Sequence, residues 1–253
     1  MWYTVNKTTP TQRRIAAKGA KMGYYYGYDG MFILVILVAV LGMIASSKVN
    51  STFKKYAKLP AQRGVRACDA AQNMLWQGGS DAKLTRVSGS LTDHFNPKTN
   101  TVGLSESVFY ESSVAALAVA AHEIGHVMQY QEGYGPIKLR NTLVPVVNFS
   151  SKASPFIVLL GLFIGSYDLA MAGVLLFGGM LVFQLVTLPV ELNASRRAIA
   201  MLTEGGYITG NEEERAAKKV LKAAAMTYVV AALSAFVSFL RLFLMVARTR
   251  KRD

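Results

Sequence analysis

Residues 169–188 (LAMAGVLLFGGMLVFQLVTL) run for 20 positions without one charged side chain. As a helix rising about 1.5 Å per residue, such a stretch is about 30 Å long, the thickness of a bilayer's hydrocarbon core. Inside lipid each backbone N–H and C=O must be paired within the segment, so this stretch has to be helical. Three more apolar stretches share the chain: 31–45 (MFILVILVAVLGMIA), 155–165 (PFIVLLGLFIG) and 223–247. The first follows Tyr24, Tyr25, Tyr26 and Tyr28, the aromatic belt expected at an interface. The small residues Ala45-Ser46-Ser47 after it would also suit a signal peptidase, and we expect a retained span instead. The second and third are parted only by Ser166-Tyr167-Asp168, which predicts a transmembrane hairpin with a tight turn. Arg241 interrupts the fourth near its end, where a long side chain can snorkel to the headgroups.

Four crossings put both termini on one side and bring two water-exposed segments, 46–153 and 189–222, together on the other. Composition agrees. Charged residues make up 17% of the chain against about 25% in an average soluble domain, which excludes a disordered or fibrous protein. The +13 net charge suits an anionic membrane surface; its charges flank helices and match no nucleic-acid motif, so no nucleic-acid partner is expected. The single cysteine, Cys68, cannot form an internal disulfide and fits a small core position on an amphipathic helix over 61–76. Between 84 and 105 short β-prone pieces surround the turn sequence Asn96-Pro97-Lys98-Thr99-Asn100, predicting a hairpin or a small sheet edge.

The chemistry lies in the following helix, VAALAVAAHEIGHVMQYQEG, which Ser112 or Ser113 can cap and Gly133 can stop. Within it stands His122-Glu123-Ile124-Gly125-His126. Residues four apart share a helix face, so both imidazoles can grip one zinc ion while Glu123 lies beside the open position where water sits. A catalytic zinc needs a third protein ligand, and the longer HExxHxxGxxH pattern is absent, with Gln129 and Glu132 in place of its last Gly and His. Among the acids on this side Glu191 stands out, because a charge so close to an apolar run is costly unless paired or metal-bound. Pairing with Arg196 or Arg197 would explain it as well, and Glu132 and Glu111 are further acids in reach.

The stretches LTDHFNP, VGLS, AVAAHEIGHVMQY, LVPVVNF and QLVTLPVELNASRRA together resemble the bacterial neutral zinc metallopeptidases of the YugP type, from about residue 48 to the end of the fourth apolar stretch. That family is similar in plan to the HtpX and CaaX prenyl proteases. The resemblance implies zinc ligation by His122, His126 and Glu191, a general base at Glu123, and a bacterial plasma-membrane location. It also has a departure: Ser195 stands where those relatives carry an Asp that orients a ligand.

The expected protein is thus a mainly α integral membrane protein, four transmembrane helices with a zincin-like α+β metalloprotease domain carrying a small β-hairpin or sheet. Its expected parts are a basic tail (1–23), a first span (24–45), the metallopeptidase domain (46–153), a transmembrane hairpin (154–188), a helical segment with the third ligand (189–222), a fourth span (223–247) and a basic tail (248–253). The expected activity is that of a zinc endopeptidase on membrane-associated protein or peptide substrates, with a catalytically silent scaffold built on a structural zinc as the alternative. His94, Arg196 or Arg197 would stabilise the oxyanion, and an edge strand near Val102 would pair with an extended substrate. Basic residues precede the first span and follow the last, yet Lys48, Lys54, Lys55 and Lys58 crowd the other side, and these lysines with the lack of disulfides favour an active site in the cytoplasm.

Overall fold

The structure, a computed structural model, describes residues 30–250. The expected tail 1–23, the tyrosines at 24–28 and positions 251–253 lie outside the described residues. In chain order the elements are α1 (Gly30–Tyr56), α2 (Ala67–Gln77), β1 (Lys83–Val87), β2 (His94–Asn96), β3 (Thr101–Ser105), α3 (Glu106–Phe109), α4 (Val114–Gln131), α5 (Gly135–Ile164), α6 (Tyr167–Glu204) and α7 (Gly210–Thr249). Helices α1, α5, α6 and α7 are long and apolar enough to cross a membrane, and the expected class, a mainly helical membrane protein with a small sheet, holds.

These helices are longer than their apolar stretches. At 38 residues, α6 extends about 57 Å, nearly twice the hydrocarbon thickness, so it carries Glu191 beyond its apolar part without a break. Helices α1, α5, α6 and α7 likewise run unbroken through 45–46, 153–154, 188–189 and 222–223. The water-exposed part is therefore built on extensions of the same helices that enter the membrane. Between α5 and α6 the turn is as tight as the sequence demands. Gly165 takes a left-handed φ of 76°, and the Leu169 N–H donates to Ser166 Oγ at 3.3 Å. A Cβ on Gly161 would lie 2.3 Å from the Ala170 nitrogen, so the two arms approach as closely as only a glycine permits.

In the sheet, β3 lies between β1, which it pairs in parallel, and β2, which it pairs antiparallel. The β2–β3 hairpin turns where expected, with Asn100 at φ 48°. Substrate pairing near Val102 is overturned: Val102 is partnered by Leu84 on one side and Phe95 on the other, and the free edges belong to β1 and β2. A parallel partner brought in from before the hairpin leaves no local sequence signal. The amphipathic helix also starts later than its apolar spacing predicts. Residues 61–66 make a turn with Gly64 at φ 62°, and the Ala67 N–H donates to the Glu111 carbonyl at 2.8 Å, so α2 begins at Ala67. Cys68 is buried in it, as expected.

Helix α4 runs through the middle of the core, with Ala116, Leu117, Ala120 and Ile124 at most 1% exposed. Its ends are the predicted ones: Ser113 Oγ accepts from the Ala116 N–H at 3.2 Å, and Gly133 follows at φ 68°. Its alanine-rich face lets α6 pack closely. A Cβ on Gly125 would meet the Ala194 carbonyl oxygen at 2.8 Å.

Candidate metal centre

That close packing sets Glu191 of α6 against the one face of α4 that carries both histidines. His122 Nε2 lies 3.2 Å and His126 Nε2 3.6 Å from Glu191 Oε2. Donor atoms of all three fall within 4.8 Å of one another, and the histidine-to-carboxylate spacings are close to the edge, about 3.3 Å, of a tetrahedron whose ligands stand about 2.0–2.1 Å from zinc. Glu191 is 1% exposed. A carboxylate so buried needs compensation, and it gets it from the two imidazoles and from Arg140 of α5, whose Nη1 is 3.3 Å from Glu191 Oε1.

The outer nitrogens of the histidines are held as well. Gln129 Nε2 donates to the Val190 carbonyl and to Asn193 Oδ1, both at 2.8 Å, which turns Gln129 Oε1 toward His126 Nδ1 at 3.0 Å. An amide oxygen only accepts, so His126 carries its proton on Nδ1 and presents the Nε2 lone pair to the centre. His122 Nδ1 lies 3.3 Å from Ser195 Oγ, so the residue that departs from the relatives' Asp still touches a ligand histidine, as a neutral hydroxyl. Burial lowers the His126 pKa, but the Glu191 and Glu123 carboxylates beside it outweigh that and hold it above its ordinary value. Two buried acids facing two imidazoles make a place for positive charge, and the donor set of two nitrogens and one carboxylate oxygen suits zinc.

Glu123, 8% exposed, lines a cavity beside this cluster together with His122, Glu191, Ser195 and Asp93. Among the described residues no hydrogen bond holds its carboxyl group. Burial pushes the Asp93 carboxyl up, partly offset by the Ser105 N–H and Oγ, which donate to it at 2.7 and 2.9 Å.

The other sequence candidates lie elsewhere. His94, on β2, donates from Nδ1 to the Thr92 carbonyl at 2.9 Å and does not line the cavity. Arg197 forms a two-pronged pair with Glu132 at 2.6 and 2.7 Å and donates from Nε to Asn193 Oδ1 at 2.8 Å. These bonds hold the Glu132 carboxyl below its usual range. Arg197 therefore reaches His126 only through Asn193 and Gln129, and Glu191 takes its arginine from α5 instead of from Arg196 or Arg197. Arg196 and Glu111 are exposed, outside the cavity. Arg140 and Tyr228, which also lines the cavity, carry no motif signal, whereas Asn193 falls within the stretch QLVTLPVELNASRRA. Gln129 carries a signal too: it follows His126 by three residues on the same helix face.

The family described as "Putative neutral zinc metallopeptidase" matches residues 31–247 of the chain. The chain is also 44% identical over 214 residues to "Putative membrane protease YugP" of Bacillus subtilis (strain 168), a match that covers 83% of this chain and 95% of that protein. No solved structure matches it.

Proposed function

The chain belongs to the neutral zinc metallopeptidase family, and from that premise we propose that it is a membrane-embedded zinc endopeptidase whose metal is held by His122, His126 and Glu191. The convergence of the two Nε2 atoms on Glu191 Oε2, with Glu123 in the adjoining cavity, carries this reading. When bound, zinc supplies Lewis acidity, which lowers the pKa of water and polarises a peptide carbonyl. Glu123 takes the proton of the attacking water and passes it to the leaving amine. Gln129 and Ser195 keep the two imidazoles turned toward the centre, and Arg140 holds the outer oxygen of Glu191 so that Oε2 stays inward. Tyr228, a hydroxyl donor in the cavity wall, is placed to stabilise the oxyanion, whereas His94, Arg196 and Arg197 are not among the residues that line the cavity. An extended substrate would add to the free edge of β2, because Leu91 and Asp93, just before that strand, line the cavity.

A scaffold with a purely structural zinc would have no use for an acid in a cavity beside the metal. The substrate is a peptide bond near the bilayer. The lysines at 48, 54, 55 and 58 on α1, with Lys218, Lys219 and Lys222 on α7, favour a cytoplasmic position for it.

Purified Glu123→Gln protein tests the assignment. It should keep its zinc and lose about two to four orders of magnitude in peptide hydrolysis, since an amide cannot accept the water's proton. In the same assay Tyr228→Phe should keep zinc and slow turnover about 10²- to 10³-fold. Full zinc with undiminished cleavage by Glu123→Gln overturns the mechanism. A comparison of peptides from cells carrying the wild-type and Glu123→Gln proteins would then name the substrates.

A further inference from the structure

On α7, residues 221, 224, 225 and 228 share one helix face, and all four line the cavity beside Glu123. The outer two are large, Leu221 and Tyr228; the inner two are Ala224 and Ala225. The two alanines thus open a recess between two bulky neighbours. Val49 and Phe53 of α1 close one wall of the cavity, and Val119 of α4 another. A further wall is made by Leu91, held at a left-handed φ of 57°, a conformation that a leucine adopts only when its surroundings impose it. Part of those surroundings is Asp93, pinned two residues on by Ser105.

The cavity measures about 190 Å³. An apolar cavity of about 150 Å³ takes up a benzene molecule, and one water occupies about 30 Å³ of liquid, so the space suits one water and one phenyl- or isobutyl-sized side chain. Its lining is apolar except for the cluster of His122, Glu123, Glu191, Ser195, Asp93 and the Tyr228 hydroxyl. A side chain seated there lies beside the group that moves the proton, so it belongs to a residue flanking the bond being cut.

We propose that this cavity is the specificity pocket of the protein: it selects peptides with one large apolar residue next to the scissile bond, and Ala224 and Ala225 set its depth. This rests on the zinc endopeptidase reading above for the bond-cutting step, though not for peptide binding. The pocket lies where α1 and α7 leave their apolar stretches, which fits substrates whose cut site follows an apolar, membrane-associated segment.

Two measurements on the full-length protein in lipid nanodiscs test it. In the first, zinc-loaded Glu123→Gln protein is dialysed against peptides identical except for Phe, Leu, Ala or Asp at one scanned position. At one position Phe and Leu should bind roughly 30-fold more tightly than Ala, and Asp more weakly than Ala. Adding Ala224→Leu should cut the Phe-to-Ala ratio at least tenfold with zinc content unchanged. In the second, a peptide library is digested by wild-type and Ala224→Leu proteins, and the favoured residue beside the cut should change from Phe or Leu to Ala or Gly. If Ala224→Leu does not fold, Leu221→Ala serves instead, and enlarging the pocket should bring Trp into the favoured set. An unchanged Phe-to-Ala ratio in folded Ala224→Leu protein, or a folded Leu221→Ala protein that still excludes Trp, overturns the pocket, and so does cleavage by wild type without apolar preference. Apolar preference in binding with no cleavage by wild type leaves the pocket standing and overturns the endopeptidase reading.

Discussion

His122 and His126 are made into ligands by what their outer nitrogens touch. Gln129 accepts from His126 Nδ1 only because its own amide nitrogen is committed to Val190 and Asn193, and Asn193 is in turn engaged by Arg197. Removing such orienting partners costs metal sites about 10- to 100-fold in affinity, which makes this chain of side chains part of the centre although none of it is a ligand. The acids near the centre divide sharply. Glu191 is 1% exposed and touches both histidines, whereas Glu132 sits on the surface, tied to Arg197. Glu191→Ala should therefore empty the site of zinc, while Glu132→Ala should keep it full and change stability by at most about 1 kcal/mol, the worth of an exposed ion pair. Zinc per protein by elemental analysis, with His94→Ala beside them, decides it. A His94→Ala protein without zinc and a Glu191→Ala protein with zinc would make the ligand set His122, His126 and His94.

The centre exists because α4 and α6 nearly touch, and Gly125 is the position that lets them. A methyl group there would meet Ala194 backbone at 2.8 Å from its oxygen and 3.3 Å from its carbon and Cα, and backbone inside a helix cannot swing aside. Gly125→Ala should therefore push the helices apart, lower stability by about 1–3 kcal/mol and weaken zinc binding, although alanine is the better helix former. Unfolding midpoints and zinc content measure both effects, and a Gly125→Ala protein as stable and as fully loaded as wild type would remove close approach as the device that builds the site. The existence of the long helices, though not their full length, was legible in the sequence because lipid leaves a backbone no alternative, and the ends of α4 were legible because Ser113 and Gly133 mark them. The order of the strands was not. Residues 83–87 carry no mark that they pair in parallel with 101–105 instead of leaving that strand at an edge.

For the molecule as a whole, the meeting of His122 with Glu191 is a statement about topology. The two residues lie on the same side only if an even number of crossings separates them, and α5 with most of α6 provides two. Cysteine-labelling reporters at Asn100 and Asn211 should report one side of the membrane, and reporters at Ser166 and Arg250 the other. Asn100 and Asn211 on opposite sides would take Glu191 out of the zinc site along with the four-span arrangement. The same experiment in intact cells reads the orientation, with Asn100 and Asn211 expected in the cytoplasm.

What the amino-acid order determined alone is what depends on neighbours within a few residues. The apolar stretches impose helices in lipid, and His122, Glu123 and His126 share a face through the helical repeat. Glu191 was open to inference because a charge next to an apolar run has to be compensated, but its partner was not: the arginine that meets it comes from position 140, 51 residues away, and not from 196 or 197. The tertiary structure alone decided which groups surround the centre. Arg140 of α5, Leu91 ahead of β2 and the face of α7 that carries Ala224, Ala225 and Tyr228 come from separate parts of the chain and share no spacing with one another. Their nearness follows from how long helices pack across small residues, and packing is a property of whole surfaces that no short stretch of sequence contains.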